Sequence, residues 1–165
     1  MGDVVDREMK TDLDAKRASG VIHYPNEAQA KMINAVIKGL ASFDDPVLQS
    51  VSRMLARRTI LVDESLTRTE LFTKGMTTPT IRGYENIIRL NPERIADPMF
   101  FYKDGNGVEN ISYALLQTMP HENLHLVFNE MGFPDPGGKW MHDNIRDPYN
   151  EDILKRVLYG KPIVP

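Results

Sequence analysis

The sequence predicts one domain of the α+β class, built around a small twisted sheet. Its 165 residues, of which 41% are hydrophobic and 26% charged, are enough to bury a sizeable core. Helical and strand-like patterns follow one another in the order helix, helix, strand, strand, helix, and no internal repeat is visible. We expect residues 1–20 to be a mobile or weakly helical leader and residues 21–165 to form the folded domain.

Two helices are predicted before the first strand. Asn26 is the expected N-cap of the first, whose apolar face has i, i+3, i+4 spacing. Asp45 followed by Pro46 signals the start of the second. The apolar face of the first helix comprises Ala30, Ile33, Val36, Ile37 and Leu40. The apolar stripe of the second comprises Val47, Val51, Met54 and Leu55.

Two strands and a third helix follow. Branched apolar residues predict a strand over 58–63, residues 75–79 form a connecting turn, and residues 84–90 form a second strand stopped by Asn91-Pro92. This second strand is either an exposed edge or a central strand of the sheet. After a turn at 104–107, Asn110 can cap a helix that continues through Leu115 and Leu116.

Composition narrows the function classes. The chain has no cysteine, which excludes disulfides, thiolate metal sites and a cysteine nucleophile. A net charge of −3 argues against a chain that coats nucleic acid. No stretch approaches the roughly 18 apolar residues of a membrane span, and the first residues lack the apolar run of a signal peptide. We therefore expect a soluble protein with no nucleic-acid or membrane partner, in which any metal is held by His, Asp or Glu.

One motif carries chemistry: His121-Glu122-Asn123-Leu124-His125. On a helix the two histidines project from one face, one turn apart, and two imidazoles placed in this way can bind one Zn²⁺. Glu122 points aside from the pair, where its carboxylate can take a proton from metal-bound water. Because of Pro120, either the helix begins near Thr118 or a kink separates residues 110–119 from the motif; we favour the kink.

A zinc site needs a third protein ligand. We expect Gly132 to end the motif helix and the Gly-Phe-Pro-Asp segment to turn the chain, which lets Asp135 face back to the helix. The alternative is that Asp135 only forms the turn. His142 is the alternative, and Glu151 is a more remote one. Glu130 is a poor ligand because it lies on the far side of the helix.

The motif resembles that of the zincin metallopeptidases. Over residues 84–160 the chain is similar to them, with a metzincin-like or aspzincin-like ending: Gly-Phe-Pro-Asp at 132–135, then Met141, then a final Leu-Tyr-Gly at 158–160. The chain departs from the metzincin pattern at Phe128, where those proteins have glycine, and at Met131, where they have the third ligand.

The resemblance implies a zincin-like fold and a zinc-dependent endopeptidase that hydrolyses peptide bonds of a protein or peptide substrate. It implies one Zn²⁺ per chain, held by His121, His125 and Asp135, with Glu122 as general base and Met141 as the hydrophobic floor. Tyr149, and less so Tyr159, are oxyanion candidates; otherwise Tyr159 packs in the core and Tyr149 caps a turn.

Two further expectations concern context. The compact, cysteine-free chain resembles small zincin effectors that bacteria inject into host cells, as type III effector proteases are; a regulatory intracellular zincin fits nearly as well. The competing class is a non-catalytic binding or scaffold protein with a structural or vestigial zinc site. Zinc closed by four protein ligands would favour that class, whereas an open position would favour the enzyme.

Overall fold

A computed structural model describes residues 2–68, 74–102, 111–133, 142–161 and 163. Within these ranges the chain combines six α-helices with a four-stranded and a two-stranded sheet. The predicted α+β class is therefore confirmed. None of the described helices is long and apolar enough to cross a membrane.

Three helices form the first part of the chain, and the second and third carry the predicted caps. They are α1 (Gly2–Ala18), α2 (Glu27–Ala41) and α3 (Pro46–Ala56). Asn26 forms a capping box with Gln29 at the start of α2, and the Asp45 carboxylate accepts hydrogen bonds from the first turn of α3. Both predicted N-caps are thus confirmed. Helix α1 lies within the predicted leader and buries Leu13.

The predicted apolar stripe of α3 is wrong at one residue, Val47. Val47 is 36% exposed, whereas Leu48 is fully buried. The buried residues of α3 are Leu48, Val51, Ser52 and Leu55, whose i, i+3, i+4, i+7 spacing defines a single helical face. Val47 lies outside that face.

The larger sheet has the strand order β1–β2–β4–β3. Its strands are β1 (Ile22–His23), β2 (Thr59–Asp63), β3 (Gly75–Met76) and β4 (Ile87–Leu90). The predicted strand over 58–63 is confirmed as β2. Strand β4 runs parallel to β2 and antiparallel to β3, so it is central, which settles the choice left open by the sequence.

The predicted connecting turn at 75–79 is wrong at its first two residues. Gly75 pairs with Leu90, and Met76 pairs with Arg89, so this segment adds an edge strand to the sheet. A two-residue strand with glycine has no alternating pattern of its own, and its pairing with β4 decides the structure.

The second half of the chain contains the motif helix. Its elements are α4 (Pro92–Ile95), β5 (Phe100–Tyr102), β6 (Ile111–Ser112), α5 (Tyr113–Glu130), a π-helix (His142–Arg146) and α6 (Asp147–Tyr159). Helix α5 is continuous through Pro120, so a start near Thr118 is wrong; the degree of bending there stays a prediction. Ser112 is its N-cap, and the predicted cap Asn110 lies outside the described residues.

Two hydrophobic clusters lie on opposite faces of the larger sheet. Ile88 and Leu90 of β4 belong to the larger cluster, together with buried residues of α2, α3, α5 and α6. Leu61 of β2 and Ile87 of β4 belong to the smaller one, which also contains Leu13 of α1. Successive side chains of a strand point to opposite faces, so the sheet is covered on both.

The predicted core position of Tyr159 is wrong. Its side chain is 77% exposed, whereas Ile153 and Val157 of the same helix are fully buried. Ile153 and Val157 lie one turn apart on the inner face, and Tyr159 follows Val157 by two residues, or about 200° around the helix. Tyr149 is the third residue of α6, not a turn cap, and packs partly buried against the core.

Candidate metal centre

Two histidines of α5 lie on one face of the helix, as predicted. The ring centroids of His121 and His125 are 5.3 Å apart, and both side chains are half-buried. Gly132, with φ of 75°, ends the helix: its N–H donates to the Asn129 carbonyl, and that of Phe133 donates to the Phe128 carbonyl, both at 3.0 Å. The predicted glycine stop is therefore confirmed.

A third histidine joins the pair from another element. His142 begins the π-helix, and its ring centroid lies 5.1 Å from that of His121 and 6.3 Å from that of His125. One ring nitrogen from each histidine lies within 4.8 Å of the others. Three imidazole nitrogens are a donor set that Zn²⁺ takes at catalytic sites, so these residues fit a zinc ion.

The electrostatic surroundings keep two of these histidines neutral. Burial lowers the pKa of His121 to about 4, and the nearby charges of His125, His142, Arg146 and Lys74 add to the effect. Burial likewise lowers the pKa of His125 to about 4. Both rings are therefore neutral near pH 7, the form that binds a metal.

Glu122 is buried beside the three histidines. Only 7% of the residue is exposed, and this burial raises the pKa of its carboxyl group to about 7. The positive charges of Arg89 and Arg146 and a hydrogen bond with Thr77 act in the opposite direction. A carboxyl group with this pKa can both accept and release a proton near neutral pH.

One of the two cations near Glu122 is part of a buried ion pair. Arg89 of β4 donates to Asp63 of β2 at 2.9 Å, and the side chains are 4% and 0% exposed. The Ser65 backbone N–H also donates to Asp63, at 3.0 Å. Neither residue stood out at the sequence level, although an arginine between the apolar residues of a strand was the available signal.

A third arginine, Arg58, binds the motif helix away from the face that carries the histidines. The buried Arg58 side chain donates to the Asn123 side-chain oxygen at 2.7 Å and to the two carboxylate oxygens of Glu130 at 2.6 and 3.0 Å. It also donates to Asn86 at 2.8 Å. Glu130 is thus held in an ion pair, in agreement with its exclusion as a metal ligand.

A cavity of about 430 Å³ opens beside the histidines. Helix α5 supplies one wall and β3 with the preceding residue supplies another, while His142 and the first turn of α6 complete it. The residues that line the cavity are Lys74, Gly75, Gln117, Thr118, His121, Glu122, His142, Asp147 and Asn150.

Three other predicted site residues have different outcomes. Asp135 and Met141 fall outside the described residues. Glu151 is exposed on α6 and does not belong to the histidine cluster, the one group of this kind in the described part of the chain. His142, which the sequence offered as the alternative to Asp135, is the residue that meets the motif histidines.

Comparison with known proteins adds no relative. No family model, no curated protein and no solved structure matches the chain.

Proposed function

We propose that this protein is a zinc-dependent endopeptidase of the zincin type, which hydrolyses peptide bonds of a protein or peptide substrate. The observation that carries the proposal is the meeting of three histidine nitrogens within 4.8 Å, beside the buried carboxyl group of Glu122. This combination supplies a metal site and a proton carrier next to each other.

The third ligand in this proposal is His142. It lies with His121 and His125, and its helix starts at the wall of the cavity. Asp135, the ligand implied by the zincin resemblance, stays a prediction, and the relative zinc affinities of two variants distinguish these residues. The cavity beside His121 leaves room for an open coordination position, which favours the enzyme over a closed structural site.

Zinc and Glu122 have separate chemical roles in this proposal. Zinc, when bound, would supply a Lewis acid for the peptide carbonyl and would lower the pKa of a neighbouring water molecule. Glu122 accepts a proton from the attacking water and then donates it to the amine nitrogen that leaves. Burial, which raises the pKa of this carboxyl group in the metal-free chain, favours the protonated form that the second transfer needs.

Strand β3 offers a place for an extended substrate. In the described part of the sheet it pairs with β4 on one side only, so its other edge presents backbone groups for a peptide. Gly75 of this strand lines the same cavity as His121 and Glu122. A peptide paired with β3 would therefore have its carbonyl groups near the histidines.

Zinc content and cleavage, measured on two matched glutamate variants, test the proposal. Glu122→Gln should keep about one zinc per chain and lose cleavage of an unfolded protein substrate by a factor of about 10³ or more. Glu151→Gln, on the exposed face of α6, should keep both. Cleavage retained by Glu122→Gln would contradict the mechanism, and a zinc-free wild-type chain would contradict the metal centre.

A further inference from the structure

Lys74 brings a positive charge to the wall of the cavity. It immediately precedes β3, its side chain is exposed, and its charge acts on His121. Among the described residues no carboxylate forms an ion pair with it. Within the described ranges, the cavity therefore contains a cation that is not ion-paired.

Asp147 brings a negative charge to the wall of the cavity that α6 forms. Asp147 lies in the first turn of α6, where the helix dipole favours an anion. Its charge also acts on the buried Arg146 next to it. Arg146 and the helix dipole therefore offset part of the charge of Asp147.

A second group in the cavity lacks a hydrogen-bond donor. The Asn150 side-chain oxygen is buried and has no partner among the described residues. Asn150 lines the same cavity as Lys74, from the side of α6. A buried amide oxygen without a donor is costly, and a small rotation of the Asn150 side chain towards the cavity would let a backbone N–H of a bound peptide satisfy it.

The part of the cavity next to Lys74 lies beside the metal site. Gln117 and Thr118 line it four residues of α5 before His121 and Glu122, a rise of about 6 Å. Gln117 is fixed, because it donates to the Tyr113 hydroxyl at 3.0 Å and accepts from Arg94 at 3.2 Å. The rise along α5 between this part of the cavity and the metal site suits the side chain of a residue adjacent to the scissile bond.

We propose that this part of the cavity is a subsite for an acidic side chain of the substrate, whose carboxylate binds Lys74 while a neighbouring backbone N–H donates to Asn150. The inference rests on the proposed peptidase function and names its substrate class: peptides with Asp or Glu next to the cleaved bond. A cation matched to a carboxylate in a partly enclosed cavity favours that side chain over its neutral isostere.

Direct binding tests this subsite without requiring turnover. Three dipeptide hydroxamates, which differ only in a Glu, Gln or Lys side chain next to the hydroxamate, are titrated calorimetrically into the zinc-loaded chain. The Glu probe should bind about fivefold more tightly than the Gln probe, and this preference should be smaller in 0.5 M salt. Lys74→Met should abolish this preference, Lys74→Glu should reverse it towards the Lys probe, and the distant Lys31→Glu should leave it unchanged.

Several results would overturn the subsite. They are equal binding of the Glu and Gln probes, a preference for the Lys probe in the wild type, a Glu preference that survives in Lys74→Met, or binding of none of the probes. A preserved Glu preference without any peptide cleavage would instead contradict only the proposed activity. Cleavage with no preference for acidic residues would contradict only the subsite.

Discussion

Gly75 lies so close to Thr118 that a Cβ atom on Gly75 would stand 2.8 Å from the Thr118 Cγ2 atom. The same atom would be 3.2 Å from the Glu122 Cγ atom. Carbon atoms pack favourably at about 3.5–4.0 Å, so no side chain fits there without movement. Strand β3 therefore lies directly on the turn of α5 that carries Glu122, and the glycine permits this approach.

Gly75→Ala should displace β3 from the motif helix. We expect it to lower the free energy of unfolding by about 1–3 kcal/mol, as overpacking does, and to lower kcat/KM because the substrate edge moves. Thr118→Ser removes the Cγ2 atom and keeps the hydroxyl that donates to the Ala114 carbonyl at 2.7 Å. The double variant should regain part of both losses in urea denaturation and kinetics. Strictly additive losses would contradict this contact.

Arg58→Lys should destabilise the chain although it preserves the charge. Lysine has no planar fork to bind Asn123 and Glu130 together, and the fully buried Asn123 would lose its donor. We expect a loss of about 2 kcal/mol in the free energy of unfolding, measured by urea denaturation. Arg156→Lys, which affects the more exposed contacts of Arg156 with Asp152 and with the α3 cap Asp45, should cost less. Equal losses in the two variants would be the contrary result.

The stability of the metal-free chain should fall in acid. His121 and His125 have pKa values of about 4 in the folded chain, against about 6.5 when unfolded. Between these values the unfolded chain binds more protons, so stability decreases as the pH falls from about 6.5 to about 4. Glu122, with its pKa raised to about 7, acts oppositely, because above about pH 4.5 the folded chain holds its proton more tightly.

Glu122→Gln removes this opposing contribution. Comparison of the variant with the wild type therefore isolates the effect of Glu122 on the pH dependence of stability. Its free energy of unfolding should decrease more steeply with falling pH than that of the wild type, by up to about 1 kcal/mol per pH unit. Urea denaturation in the presence of a chelator at pH 6.5, 5.5 and 4.5 measures both slopes. Identical slopes would mean that Glu122 titrates normally in the folded chain.

The order of two zinc affinities identifies the third ligand. Because His142 lies with the motif histidines, His142→Ala should weaken zinc binding more than about 100-fold and more than Asp135→Ala does. Competition with a chromophoric chelator measures both constants. A larger loss in Asp135→Ala would restore the ligand that the zincin resemblance implies.

The parts of the fold governed by local chemistry were predictable from the sequence. The Asn26 and Asp45 caps and the Gly132 stop depend on neighbouring backbone groups, and all three are as predicted. The same is true of His121 and His125, since helical periodicity alone places them on one face.

Other parts depend on contacts between distant segments. Strand β3 exists because Gly75 and Met76 pair with β4, and the burial of Val157 leaves Tyr159 on the opposite side of α6. The position of His142 beside the motif histidines likewise depends on contacts between segments that are distant in sequence. Periodicity within one segment carries no information about any of these contacts.

A crystal structure of the zinc-loaded chain, with anomalous data collected at the zinc edge, tests the metal centre most directly. The expected result is one zinc per chain, about 2.0–2.1 Å from one nitrogen each of His121, His125 and His142, with an open side towards the cavity. No anomalous peak between these histidines, or a zinc closed by four protein ligands, would contradict the proposed enzyme.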